Sequence, residues 1–260
     1  MKILAIGDPH GNIAKLKKIP KNKIDLILIT GDLGKADLAR KIAFENVERR
    51  RRNLPELEDT PELEYKIDME IYKSSINVLK YLSKFAPIYF IYGNVEPYAG
   101  ERPDKNRKAP WLPHEIKKIK NIKAINNKII NFKGIRIGGL EFFVDTNWIR
   151  DFKPSDYKEK LAKAKKQTEK AQRVLKLFGK IDILLHHQPP YKTLDKVTAK
   201  FAPKHWRGKN AGSKTILKYI KNKQPKYSFC GHIHEGEGFK KIGKTEVYNL
   251  GVCGYKIVEL

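Results

Sequence analysis

The 260 residues suffice for one large domain or two small ones, and an apolar fraction of 40% can build a core. Basic residues outnumber acidic ones 54 to 29, a net charge of +25, which points either to a polyanionic partner such as nucleic acid or to a Lys-rich, hyperthermophile-like proteome. No apolar run approaches the roughly 18 residues that cross a bilayer. The first residues show no signal-peptide pattern, and Cys230 and Cys253 make no framework or thiolate metal spacing, so a reduced, cytoplasmic protein without membrane contact is expected.

The apolar run Ile3-Leu4-Ala5-Ile6 suits a strand buried on both faces, and it leads directly into Gly7-Asp8-Pro9-His10-Gly11. The two glycines favour a turn there, with Asp8 and His10 emerging at the C-terminal edge of a sheet, where open α/β sheets place their chemistry. An Asp at a strand end is also a common helix cap, so this pair alone does not define a site. A short helix over 15–23 precedes a second strand, Ile24 to Thr30, which ends in Gly31-Asp32-Leu33-Gly34. Strand, helix and strand in that order predict a parallel pair with a right-handed crossover.

Residues 35–84 read as a long helical stretch with a break near Pro55, and Thr60-Pro61-Glu62 as a helix start. Ile67, Ile71, Val78 and Leu82 mark its apolar face. Within it, Arg49-Arg50-Arg51-Arg52 reads as a solvated helix surface, with a polyanion contact as the alternative. Pro87 to Tyr92 is a third strand, followed by Gly93-Asn94-Val95-Glu96 and a basic, Pro-rich loop over 97–113.

Short β segments are expected over 121–140, with turns at Asn126-Asn127 and Lys133-Gly134. The helix over 155–178 presents a stripe of Leu161, Ala164, Ala171, Leu175 and Phe178 against Lys-rich faces, which suits packing on a sheet. Strand Ile181 to Leu185 ends in His186-His187-Gln188-Pro189-Pro190. A helix over 213–223 precedes strand Tyr227 to Cys230, which ends in Gly231-His232-Ile233-His234, and two strands near 245–249 and 255–260 finish the chain. No linker, low-complexity tract or repeat divides it, so we expect one domain over residues 1–260 with a helical insertion at about 35–84.

Five strand ends therefore deliver Asp8 and His10, Asp32, Asn94, His187, and His232 and His234, and a common sheet would aim them at one place. Two carboxylates, an amide and four imidazoles without thiolate suit Mn²⁺, Fe²⁺ or Zn²⁺ in a reactive rather than a structural site. Seven ligands with one shared carboxylate match two ions rather than one.

Asp-x-His, Gly-Asp, Gly-Asn, a His after a buried strand and Gly-His-x-His, in this order over residues 8 to 234, resemble the calcineurin-like metallophosphoesterases. Gly212-Ser213 before a late helix and Cys230-Gly231-His232-Ile233-His234-Glu235 are similar to an archaeal branch related to bacterial cyclic-nucleotide phosphodiesterase. The resemblance implies a two-sheet α/β sandwich with mostly parallel central strands and helices on its outer faces. It also implies two divalent ions, Mn²⁺ first, with Fe, Zn or Ni as alternatives. Asp8, His10 and His234 would hold one ion and Asn94, His187 and His232 the other, with Asp32 bridging. His186 is the second choice for the His187 role, and His114 and His205 read as surface residues.

One position departs from the pattern. Val95 stands where the family carries a His that pairs with the next acidic residue, here Glu96, and protonates the leaving group. General-acid help contributes about 10²–10⁴ in rate, so alkyl esters would suffer most. Two ions still lower the pKa of a bridging water toward about 7 and neutralise phosphoryl charge. The expected activity is metal-dependent phosphodiester hydrolysis, with Asn94, His10 and Glu96 as the catalytic residues beside the ions. A nuclease or nucleic-acid binder built on the same core, and a non-catalytic scaffold, are the rival readings. The oligomeric state is not readable from the sequence.

Overall fold

A computed structural model of the chain describes residues 1–96, 108–154, 156–200 and 202–260. In its first strand, β1 (Lys2–Ile6), Ile3 and Ala5 enter one apolar cluster while Leu4 and Ile6 enter another. Side chains alternate across a strand, so this two-sided burial requires packed layers on both faces. α1 (Ile13–Lys18) starts where the Asn12 side chain accepts the Lys15 N–H at 3.0 Å, and it leads to β2 (Leu26–Ile29).

The helical stretch divides as expected around Pro55, into α2 (Asp37–Arg51) and α3 (Pro61–Leu82). The Thr60 hydroxyl caps α3 by accepting the Leu63 N–H at 3.2 Å, and Pro61 occupies the first turn, where no N–H is needed. The buried side of α3 differs from the predicted face. It is continuous only from Ser75 to Leu82, while Ile67 and Ile71 remain half-buried because the first half of the helix overhangs the site.

After β3 (Ile88–Phe90) come α4 (Leu112–Ile116), β4 (Ile122–Ala124), β5 (Lys128–Phe132) and β6 (Ile135–Leu140). Lys133 and Gly134 make the β5–β6 turn with φ of 50° and 88°. Most of the predicted basic loop, 97–107, lies outside the described residues, and its end enters α4. The chain continues through α5 (Thr146–Phe152), α6 (Tyr157–Phe178), β7 (Ile183–His186), α7 (Lys214–Lys223), β8 (Tyr227–Cys230), β9 (Gly238–Ile242), β10 (Thr245–Asn249) and β11 (Tyr255–Glu259). Residue 155, the predicted start of α6, is outside the described set.

The strands form two sheets, ordered β11-β1-β2-β3-β4 and β5-β6-β7-β8-β10-β9. In each the inner pairs are parallel and the outermost pairs include an antiparallel strand, β11 in the first and β5 and β9 in the second. Ile3, Ala5, Leu26 and Leu28 of the first sheet meet Ile137, Ile183, Leu185 and Phe229 of the second in one central cluster. Leu16, Val78, Leu79 and Leu82 of α1 and α3 cover the outer face of the first sheet. Leu175, Phe178, Ile216 and Ile220 of α6 and α7 cover the second. The architecture is the predicted α/β two-sheet sandwich with flanking helices. Removing a methylene-rich side chain such as Leu28 from this middle layer costs about 2–5 kcal/mol, since the site cannot collapse from both sides.

Two expectations need correction. The strands that carry the expected ligands do not share one sheet: β1, β2 and β3 lie in the first, β7 and β8 in the second. Residues 146–152 and 238–242, unassigned from sequence, are α5 and β9. α5 is too short for a clear helical period, and β9 is an edge strand whose exposed face carries Lys. Three residues of the Arg run pair with acidic neighbours, Arg49 with Glu45 at 3.8 Å, Arg50 with Glu56 at 2.7 Å and Arg51 with Glu48 at 3.1 Å.

Candidate metal centre

The C-terminal ends of β1, β2 and β3 meet those of β7 and β8 at one edge of the sandwich, and the seven side chains singled out from sequence converge there. Asp8 is fully buried between two donors. Its Oδ1 accepts the Thr30 hydroxyl at 2.7 Å, and its Oδ2 accepts the His232 backbone N–H at 2.6 Å. Close approach explains the glycine before His232: a Cβ on Gly231 would lie 2.2 Å from Asp8 Oδ1. Likewise, a Cβ on Gly93 would lie 2.1 Å from Asp32 Oδ1. His10, Asp32 and His232 themselves adopt left-handed backbone, with φ of 43°, 45° and 67°. Such strain persists only where the surroundings over-determine it.

Asp8, His10 and His234 bring donor atoms within 4.8 Å of one another, and so do Asp8, Asp32 and His187. His10 Nδ1 donates to the Gly34 carbonyl at 3.3 Å, which leaves Nε2 facing His234 Nε2 at 3.2 Å. His187 Nδ1 is 2.9 Å from the Thr30 carbonyl, and its Nε2 is 2.9 Å from Asn94 Oδ1. Asp32 lies between the groups, with Oδ2 3.7 Å from His10 Nε2 and Oδ1 3.5 Å from His187 Nε2. The His232 ring stands 4.9 Å from that of His187, and Phe142 packs against both rings at 5.4–5.5 Å.

Charge follows this arrangement. Burial alone would raise the Asp8 carboxyl, but His187, His234 and His10 outweigh it and hold it well below the usual carboxylate range. Burial opposes protonation of His187, yet the carboxylates of Asp32 and Asp8 prevail and raise it. Burial, with His187 beside it, pulls His232 down to about 3. His10 is also lowered, by burial first.

The donor set fits divalent cations. It is made of carboxylates, imidazoles and an amide, and the Nδ1 positions of His10 and His187 are tied to carbonyls, the outer bonding that orients ligating imidazoles. Moreover, with Nδ1 as donor, His187 Nε2 is an acceptor facing the Asn94 carbonyl oxygen at 2.9 Å. Two acceptors that close need a proton or a cation between them.

Glu96 and His186 have other surroundings. Glu96 is buried with Oε2 accepting the N–H groups of Asp32 and Gly93 at 3.1 and 3.0 Å and Oε1 that of Gly34 at 3.1 Å. Burial, then the Asp32 charge, push it up to about 7. His186 is fully buried, its Nδ1 donating to the Gln188 carbonyl and its Nε2 accepting the Ser228 hydroxyl, both at 2.7 Å, and burial lowers it to about 4. Both nitrogens being engaged, it has none to offer an ion. His114 and His205 lie at the surface, as expected.

Outside the cluster, a cavity of about 520 Å³ runs from Asp32, His232 and His234 to Arg40, Phe142, Trp148 and Trp206. Sequence reading missed Thr30, Phe142 and this aromatic wall. Thr30 had a detectable signal, a hydroxyl one residue from Gly31-Asp32 at a strand end; the aromatics had none, since they come from separate loops and α5.

The family model for calcineurin-like phosphoesterases matches residues 1–236. An uncharacterized protein of Methanocaldococcus jannaschii is 31% identical over 150 residues, 57% of this chain and 56% of that protein, so the match spans little more than half of that relative. One crystal structure superposes over 99% of this chain and 94% of its own with a TM-score of 0.60 at 16% identity, a likeness of fold. A dimetal phosphatase from Danio rerio covers 98% of this chain and 88% of its own, at 12% identity and a TM-score of 0.49. With the family model covering β1 to β8 and all the strand ends described above, the chain belongs to the calcineurin-like phosphoesterases.

Proposed function

We propose that this protein is a phosphodiesterase that works with two divalent cations, Mn²⁺ first among them. Membership of the family implies a metal-dependent phosphoric ester hydrolase with a dinuclear site. The observation that carries the two-ion reading is Asp32, whose two oxygens face His187 on one side and His10 on the other at 3.5 and 3.7 Å. One carboxylate between two imidazole groups is what a bridging ligand requires. Asp8, His10 and His234 would then hold one ion and Asn94, His187 and His232 the other. When bound, such a pair activates water and neutralises charge on the phosphoryl oxygens.

The protein's own residues do the rest. Thr30 and the His232 N–H fix the Asp8 carboxylate, and the Val95 N–H fixes Asp32 Oδ1 at 3.0 Å. Glu96 ties the Asp32, Gly34 and Gly93 segments together through their N–H groups, so it positions the loops and does not touch substrate. Asn94 is the exposed ligand beside the cavity and orients the phosphoryl group. Val95 lines the cavity with an apolar side chain and supplies no proton. A diester with a good leaving group therefore suits the site better than an alkyl monoester. One domain with α2 and α3 as an insertion accords with this reading.

A nuclease reading has in its favour the net charge of +25 and the Arg49 to Arg52 run. Salt separates the two: contact with several phosphates makes affinity fall steeply with salt, and a small diester responds little. The experiment is a Mn²⁺-supplemented screen of mono-, di- and cyclic phosphoesters and single-stranded nucleic acid. Hydrolysis confined to monoesters, or none after metal loading, overturns the proposal.

A further inference from the structure

We infer that the cavity outside the ligand cluster is a nucleoside subsite opening toward a second, cationic chamber, and that the substrate is a phosphodiester whose nucleoside carries a further phosphoryl group. This rests on the phosphodiesterase reading above. The cavity of about 520 Å³ lies in the range that encloses a small organic ligand. Its far wall is aromatic. Trp148 stacks on Phe152 at 4.8 Å and 10°, and Trp206 meets both edge-on at 5.6 and 5.7 Å. Bases stack on such faces whatever their sequence.

Trp206 adds a polar handle. Its indole Nε1–H is buried and has no acceptor among the described residues. Buried donors rarely stay unpaired, and a base offers ring nitrogens or a carbonyl oxygen at its edge. An acyl chain offers none.

The second chamber, about 400 Å³, shares Phe44 and Ala202 with the first. Arg51, Arg52, Lys204 and Arg207 line it against one carboxylate, Glu48, which Arg51 holds at 3.1 Å. Arg207 is fixed by the carbonyls of Ala202 and Lys200, bonds that orient its guanidinium without cancelling its charge. Arg52 and Lys204 make no ion pair among the described residues. Forked guanidiniums beside an ammonium are a recognition set for phosphate. A phosphoryl group at the ligand cluster, a base on the tryptophan wall and a second phosphate among these cations together fill all three places. A simple monoester fills one.

The test follows tryptophan fluorescence of the whole chain, whose three tryptophans include Trp148 and Trp206. The probes are adenosine 3′,5′-bisphosphate, adenosine 5′-monophosphate, inorganic phosphate and a 5′-phosphorylated trinucleotide. The bisphosphate should quench at concentrations about tenfold below the monophosphate, the gain expected of one charge-assisted contact. The double variant R52S/K204S should lose that advantage. Tighter binding of the trinucleotide would identify the end of a strand as the source, and equal binding a free nucleotide. Quenching no stronger with the bisphosphate than with the monophosphate, or an advantage that survives R52S/K204S, overturns the inference. Bis-p-nitrophenyl phosphate hydrolysis is measured in parallel: turnover without nucleotide binding sinks the subsite alone, and nucleotide binding without turnover sinks the phosphodiesterase reading alone.

Discussion

His187 gives its Nδ1–H to the Thr30 carbonyl at 2.9 Å. Because a carbonyl only accepts, this bond places a proton on Nδ1 and leaves Nε2 as the nitrogen turned toward Asn94. The preceding residue, His186, is spent on Gln188 and Ser228. His187→Ala should therefore abolish binding at one of two metal positions. His186→Phe should keep both ions and instead lower stability by about 1–3 kcal/mol, because the Ser228 hydroxyl and Gln188 carbonyl lose their partner in a dry site. Metal content by elemental analysis and urea unfolding of both variants separate the roles. Loss of metal in His186→Phe with unchanged stability would reverse the assignment.

Thr30 supports the centre without being one of its ligands. Its hydroxyl donates to Asp8 Oδ1 at 2.7 Å in a fully buried setting. Thr30→Val keeps the shape and removes the donor. We expect metal affinity to fall about 10–100-fold, the usual cost of losing an outer partner of a ligand. Competition with a chelator of known affinity measures it, and an unchanged dissociation constant contradicts the proposed support.

Asp32 tests the pairing of the two ions. After Mn²⁺ loading and desalting, the protein should carry about two equivalents, the occupancy of a two-metal hydrolase site. Asp32→Ala should release both. Asp32→Asn, which tolerates the left-handed backbone at φ 45°, serves as the conformational control and should also lose both. Retention of one tightly held ion in either variant excludes a bridge at this position.

In the proposed phosphodiesterase, Val95 would set the leaving-group dependence. A p-nitrophenolate departs with little protonation, whereas an alkoxide needs a proton, and the valine side chain cannot give one. Activity should be measurable on bis-p-nitrophenyl phosphate and weak on alkyl monoesters. Val95→His should raise the alkyl rate more than the aryl rate, by up to the 10²–10⁴ that a general acid contributes. Glu96, whose oxygens already hold three backbone N–H groups, has little acceptor capacity left to orient the new ring. The gain should therefore fall at the low end of that range. Equal gains on both esters would show that proton donation is not what limits the enzyme.

The order of elements was legible along the chain because the strands bearing the proposed ligands read as mainly apolar runs that end in a polar residue, after Gly in all but β7. The candidate ligands were legible for the same reason: Asp8, His10, Asp32, Asn94, His187, His232 and His234 each follow such a run by one to four residues. Their convergence was anticipated, but not that it spans two sheets, since periodicity reports burial and not which strands pair. The choice of His187 over His186 depended on which neighbours each ring meets, Thr30 for one and Ser228 for the other, and both partners are distant in sequence. That Glu96 ties loops together was not legible, because three N–H groups from β2 and β3 ends reach it only in the folded chain. The aromatic cavity left no trace in the sequence, and of its cationic neighbour only the Arg49 to Arg52 run was visible. Trp148, Trp206, Arg52 and Lys204 come from α5, the end of α2 at its cap and the segment between β7 and α7, and only packing of those pieces around the mouth brings them together. Local pattern determines what each strand end carries; contacts between residues far apart in the chain determine what those ends hold together.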